Sequence, residues 1–233
     1  MIAVIDPRMP SSAKEQLKKI CEVAELPPFS ALDGRVASHP DMLLFISGGK
    51  LFTSKEYYKE AKDVIDGIIL KTALALALTN DVLGNKYPDD VKFNVFTTQD
   101  SIVGSIANIS EEIKKHAYAR GWDIKNVNQG YAKCSTVVLK NAVITADKGI
   151  YNQARELGAN GLLISAGGVT LEGYGCGFIG GASGVFENKV FFCGNIMLHP
   201  DGKSIVDFCE ALGYEIISLS NAPLYDVGTI TFI

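Results

Sequence analysis

Apolar residues in this chain fall into short runs, and the runs come in pairs. Residues 43–54, LLFISGGKLFTS, hold two strand-length apolar stretches parted by Ser-Gly-Gly-Lys, the pattern of a β-hairpin with a tight turn. The next residues, SKEYYKEAKDVI, have helical spacing, and GIIL after them reads as a short buried strand. The same order returns three times. KFNVFTTQDSIVGSIANI predicts two strands, SEEIKKHAYARG a helix with Ser110 as its cap, and DIKNVN a strand. STVVLKNAVITAD predicts a hairpin turning at Lys140 and Asn141, then a helix opening at Asp147, then the strand GLLIS. VFENKVFFCGN, HPDGKSIVDFCEALGY and EIISLS repeat hairpin, helix and strand, with Gly213 ending the helix.

The two ends supply a fifth, split unit. VGTITFI at the C-terminus offers its first strand, while MIAVID, SSAKEQLKKICEV and AELPPF offer strand, helix and strand. The pattern predicts five ββαβ units in a single α/β domain over residues 1–233, with the chain ends side by side. TALALALTNDVLGN, after the first unit, reads as an extra connecting helix. Leu17, Ile20 and Cys21 share one face of the first helix, and Ile205, Val206, Phe208, Cys209 and Leu212 one face of the last, so Cys21 and Cys209 are expected in the core.

Composition narrows the function classes. The chain is 47% hydrophobic and 21% charged, enough to bury a substantial core. No apolar run approaches the ~18–20 residues that span a bilayer, and MIAVIDPRMP lacks the regions of a signal peptide, which leads to the expectation of a cytoplasmic protein with no membrane partner. The five cysteines are odd in number and form no C-x-x-C, so free thiols are expected, with no disulfide framework and no metal. Net charge is -4 and only four of the 22 basic residues are arginines, which argues against nucleic acid.

One motif suggests a cofactor. GCGFIG at 175–180 spells G-x-G-x-x-G, but that fingerprint needs a helix to start within it, and GASGVFENKVFF follows as a hairpin. No helix N-terminus stands ready for a pyrophosphate before Asp201, so no cofactor is expected. These glycines instead suit a place where backbone approaches backbone.

Several side chains remain as candidates. Cys176, between glycines on a segment expected to border a central channel, is either an accessible thiol, with Lys133 or His39 as its cationic neighbour, or a small filler of tight space. Cys134 occupies a related position one unit earlier. His39-Pro40-Asp41 is either an acid, base or ligand set at the opening of a strand, or a polar turn. Asp226, before the last strand, either faces the channel or belongs to a turn after Pro223. Lys133, beside Gln129 and Tyr131, is either a solvated strand end or a contact for a carboxylate. Asp201 is expected to cap the helix after it, and His116 to be solvated.

Five ββαβ units closed by the chain ends resemble the pentein fold, the α/β-propeller of arginine deiminases, amidinotransferases and dimethylarginine dimethylaminohydrolases, and also of a ribosome anti-association factor. SHPDMLLFISGG is similar to the stretch with which dimethylarginine hydrolases open a unit, and the resemblance implies that Asp41 contacts a guanidinium. It further implies a cysteine nucleophile near the C-terminus and a histidine opening the fourth unit. Here NAPLYDVGTITFI has no cysteine and places Asp226 near that position, while GYGCGFIGGASG offers Cys176 in place of the histidine. At the opening of the third unit stand Gln129, Lys133 and Cys134. The resemblance therefore implies a hydrolase or transferase acting on a small polar guanidine- or amino-acid-like molecule, with Cys176, Asp226 and His39 in catalytic roles and Asp41, Gln129, Lys133 and Cys134 binding substrate. The alternative is a non-catalytic binding protein that keeps the fold.

Overall fold

A computed structural model describes residues 1–233. The chain opens with β1 (Ile2–Ile5), α1 (Ser11–Lys18) and β2 (Glu22–Glu25), followed by one helical turn, α2 (Pro40–Leu43). The next unit is β3 (Phe45–Ser47), β4 (Lys50–Ser54), α3 (Lys55–Glu60), α4 (Lys62–Lys71) and β5 (Ala75–Thr79). Then come β6 (Phe96–Thr98), β7 (Ser101–Gly104), α5 (Glu111–Ala119) and β8 (Asp123–Asn126), and after them β9 (Thr136–Leu139), β10 (Ala142–Thr145), α6 (Lys148–Glu156) and β11 (Asn160–Leu163). A two-residue strand β12 (Val169–Thr170) precedes β13 (Ser183–Phe186), β14 (Lys189–Phe192), α7 (Gly202–Ala211) and β15 (Glu215–Ser218), and the chain closes with β16 (Leu224–Tyr225) and β17 (Thr231–Phe232).

These strands form five separate three-stranded sheets of one topology, and no sheet closes on itself. In each, the middle strand pairs antiparallel with the first and parallel with the third, as in β9-β10-β11, where Val143 opposes both Val138 and Gly161. A right-handed helical crossover is what a parallel pair requires, and each unit supplies a helix between its last two strands. One sheet is assembled from both ends of the chain: Ala3 of β1 opposes Phe232 of β17 and Val23 of β2. The extra pair β12-β16 is parallel, with Val169 opposite Leu224.

Local chemistry accounts for the elements. In the β3–β4 turn Gly48 and Gly49 have φ of 56° and 77°, a conformation glycine adopts without a Cβ clash. Asp147 accepts a hydrogen bond from Ile150 N at 2.9 Å and so caps α6 as its sequence suggests. Ser54 caps α3 in the same way through Tyr57 N, at 3.0 Å. Buried side chains from adjoining units merge; one core cluster holds Val4, Phe29, Phe52, Ile65, Phe93 and Ile113.

The structure corrects several local expectations. GIIL lies inside α4, where Ile65 and Ile68 are buried three residues apart while Leu70 is 87% exposed. The strand of that unit comes from TALALALT, whose strict alternation of Leu and Ala has the period of a strand and forms β5. In the split unit the helix stops at Lys18 and the strand runs over Glu22–Glu25, earlier than AELPPF. Ser110 and Asp201 hold N-cap positions, but neither side chain makes the capping bond; Asp201 Oδ2 accepts from Ser165 N at 2.6 Å instead. His116 is 8% exposed, its ring 5.0 Å from that of Phe52. Cys209 is buried in a core, as expected, with its thiol pushed up to about 12 by burial, whereas Cys21 is half-buried. No helix is long and apolar enough to cross a membrane.

Candidate functional site

Four short segments, three irregular and one ending in the single turn α2, lead into the first strands of units and bring polar residues together: 39–41 before β3, 94 before β6, 133–134 before β9 and 226–229 before β17. Sequence hydropathy marks them as interruptions of apolar runs. Their side chains are nonetheless buried: Asp41, His39, Asp226, Thr229, Asn94 and Cys134 all lie inside the protein. Buried polar groups persist where they are hydrogen-bonded, and this cluster is densely bonded.

Asp41 is its centre. Its Oδ2 accepts from Thr229 Oγ1 at 2.8 Å and from Cys134 Sγ at 2.9 Å, while Oδ1 is buried without a hydrogen-bond partner. Asn94 holds the third-unit segment in place, its Oδ1 accepting from Lys133 N at 2.9 Å and Cys134 N at 3.1 Å, its Nδ2 reaching Cys134 Sγ at 3.0 Å. Lys133 Nζ is 3.4 Å from Thr229 Oγ1 and 3.5 Å from Thr136 O. Thr229 has φ of 71°, a conformation costly for a β-branched residue and held here by its neighbours.

A second carboxylate lies against the first group. Asp226 accepts from Phe178 N at 2.8 Å and Gly228 N at 2.9 Å. His39 stands between carboxylates, with Nε2 3.7 Å from Asp6 Oδ2 and Nδ1 4.0 Å from Asp226 Oδ1. Asp6 is paired in turn with the Arg8 guanidinium. Gly181 and Gly228 permit this packing, because a Cβ on either would meet Asp226 or His39. Gly180 faces backbone instead of side chains, since its Cβ would strike the carbonyls of Lys133, Cys134 and Thr136.

Burial sets the protonation of these groups. It raises the Asp41 carboxyl against the opposing hydrogen bonds from Cys134 and Thr229, and raises Asp226 against the nearby His39. It pushes the Cys134 thiol well above its usual value, and the Asp41 and Asp226 charges push it further. Burial lowers His39 despite its two carboxylate neighbours, and lowers Lys133 despite Asp41. Cys134 is therefore a hydrogen-bond donor at neutral pH, and a poor source of thiolate.

Beside Asp41, Lys133 and Thr229 lies a pocket of about 240 Å³. All five first strands line it, through Ile46, Phe96, Val138, Val185 and Phe232 among others. Its walls are apolar and its polar groups few, the usual make-up of a ligand site. By contrast, the space among Asp6, Arg8, Arg35, His39, Tyr225 and Asp226 is only about 10 Å³. That is room for about one water.

The sequence candidates thus divide. Asp41, Lys133, Cys134, Asp226 and His39 fall in one polar cluster, whereas Cys176 is exposed and lines a different pocket of about 210 Å³ with Gln129 and His199. Neither Lys133 nor His39 lines that pocket. Asn94, Thr229 and Asp6 were not singled out by sequence reasoning. The available signal was a polar residue inside an apolar run, as in FNVF, VGTI and IAVID. No group of three or more His, Cys, Asp or Glu side chains is arranged to hold a metal ion.

Comparison with known proteins places this geometry. The profile of the Family of unknown function (DUF6873) matches residues 4–231. No curated protein sequence matches. Among solved structures, a dimethylarginine dimethylaminohydrolase mutant from Pseudomonas aeruginosa complexed with citrulline aligns with a TM-score of 0.57 at 11% identity, covering 94% of this chain and 91% of that one. An amidinotransferase from Microseira wollei aligns at 0.54 and 10% identity, covering 92% and 76%. The agmatine deiminase of C. jejuni aligns at 0.52 and 11%, covering 94% and 76%. These are pentein enzymes, and at such identity the likeness is one of fold.

Proposed function

For this chain, which belongs to the Family of unknown function (DUF6873) and shares the pentein fold, we propose a role in binding a small amino-acid-like or guanidine-bearing molecule in the five-strand pocket. The five sheets would stand as an α/β-propeller around that pocket, with β17 and β1 closing the ring. The observation that carries the reading is the pocket's pair of opposite, incompletely partnered charges: Asp41, with Oδ1 unbonded, and Lys133, held only by a hydroxyl and a carbonyl. A zwitterion answers both. Its ammonium or guanidinium meets Asp41 and its carboxylate meets Lys133, with the apolar walls excluding water and strengthening each contact. Cys134 keeps Asp41 Oδ2 engaged, so Oδ1 is the atom left for ligand. At about 240 Å³ the pocket falls just below the roughly 300–1,000 Å³ of sites for drug-sized ligands, which limits it to a smaller molecule. Five unpaired cysteines fit a reducing compartment such as the cytoplasm.

A second reading, a hydrolase or transferase, is favoured by the guanidine-modifying enzymes that share the fold. Cys176 would be its nucleophile, with Gln129 beside it, and Asp226 and His39, 4.0 Å apart, would exchange a proton. Thermal shift with arginine, agmatine, citrulline and creatine tests binding: ligand at 100 times its dissociation constant stabilises by about 2.7 kcal/mol. A shift that Asp41→Asn abolishes supports the proposal, and the absence of a shift with every zwitterion and guanidine overturns it. Release of ammonia, amine or urea from the same compounds, lost in Cys176→Ser, would establish the second reading.

A further inference from the structure

Lys133 is the one cationic side chain lining the five-strand pocket, whose walls include Phe45, Phe93, Phe96 and Phe232. An ammonium beside aromatic and aliphatic walls ordinarily secures a carboxylate. This one makes only two long hydrogen bonds, to Thr229 Oγ1 at 3.4 Å and Thr136 O at 3.5 Å. Thr229 has a single hydroxyl proton and two acceptors in reach, Asp41 Oδ2 at 2.8 Å and Gly180 O at 3.1 Å; the shorter contact, to a carboxylate, takes the proton and leaves the oxygen to accept from Lys133. The result is a relay, Lys133 Nζ to Thr229 Oγ1 to Asp41 Oδ2, that ends on a carboxyl with a further oxygen free.

We infer that Lys133 is an imine-forming lysine, whose Nζ condenses with the carbonyl carbon of a small aldehyde or ketone of apolar body held in the five-strand pocket. The ammonium passes one proton through Thr229 to Asp41. The neutral amine then attacks the carbonyl carbon, a C–N bond forms, and the carbonyl oxygen takes the proton back from Asp41 to give a carbinolamine. Loss of that hydroxyl with one of the two nitrogen protons, as water, leaves a protonated C=N, with Asp41 back as its carboxylate. Ammonium plus carbonyl gives iminium plus water, with no oxidant or reductant consumed. The groups facing Lys133 are Asp41, Cys134 and Asp226; desolvation by the surrounding walls lowers the amine and so favours its neutral form, while the carboxylates oppose it.

The inference rests on the pocket being the ligand site, but it does not require a zwitterion. Benzaldehyde or hexanal is incubated with the full chain at pH 7 and sodium cyanoborohydride, which converts the imine irreversibly to a secondary amine, and the adducts are mapped by peptide mass spectrometry. Among the 18 lysines, Lys133 is expected to be modified at least ~10-fold faster than any other. Lys133→Arg should abolish this fast adduct, and Thr229→Val should slow it. Should either variant fail to fold, the mapping on the unaltered chain still decides. Adducts spread evenly over exposed lysines overturn the inference. Arginine or agmatine that stabilises the protein, with no trapped aldehyde at Lys133, sinks the imine and leaves the binding proposal standing; an adduct at Lys133 with no zwitterion shift does the reverse.

Discussion

Asp41 concentrates the chemistry of the residue scale: two donors on one carboxylate oxygen, none on the other, and burial that favours its protonated form. The folded state therefore holds the proton more tightly than the unfolded chain, whose aspartates titrate near ~3.9. Stability contributed by this group is present below that value and declines as pH rises through the raised folded value. Asp41→Asn removes the charge and retains an acceptor for Thr229 and Cys134. It is expected to raise stability at pH 7 by about 1 kcal/mol and to flatten the fall above pH 4, as measured by urea unfolding across pH. A variant less stable than the original at pH 7 would contradict a carboxyl raised by burial. Among the thiols, Cys176 is exposed while Cys134 is buried and raised. Iodoacetamide at pH 7.5 should label Cys176 roughly 100-fold faster than Cys134, which becomes reactive only as the protein opens. The accessible thiol thus lines a different pocket from Asp41 and Lys133, which sequence could not show because a cysteine between glycines has no periodic face.

At the scale of elements, hairpins and helices followed from local pattern in four units, and the misreading within the first of them is instructive. GIIL and TALALALT are both apolar runs; the first continues a helix because its residues extend the buried Ile65–Ile68 stripe, and the second alternates. Of the glycines in GCGFIG only Gly180 meets backbone, while Gly177 packs on the Asp226 side chain and Gly175 faces open space. Gly180 packs beneath three carbonyls of the preceding unit, which cannot yield as a side chain can. Gly180→Ala should cost about 3 kcal/mol or abolish folding, read by thermal unfolding, and it should do so without any change of local helix or strand preference. A cost below about 1 kcal/mol would mean that the two segments are not in such close contact.

The whole molecule is held by a sheet drawn from both ends. Ile2 N donates to Ile233 O at 2.8 Å, and Phe232 packs on Phe191 with ring centroids 4.7 Å apart. Removing residues 231–233 should destabilise by about 3–5 kcal/mol through the lost Phe232 alone. A circular permutant that joins residues 1 and 233 by a short Gly/Ser linker, with new ends between Asn85 and Lys86, should keep the circular-dichroism spectrum and a cooperative melt. A permutant that melts without cooperativity would show that the order of synthesis, and not the pairing alone, is needed.

The chain's alternation and helical spacing determined the number, order and internal pairing of its units, because those are consequences of neighbouring residues and repeat with fixed periods. Even the split unit was legible, since its two halves carry the same pattern as the others. Only the tertiary structure decided which residues at the openings of the units meet. Asn94 and Thr229 joined Asp41, and Cys176 with Gln129 did not. Those positions lie on irregular backbone or, for Asp41, on a single helical turn, where side-chain direction has no sustained period, and their contacts link residues as far apart as 41 and 229; burial and charge at such a meeting point exist only once the first strands of the units line one pocket.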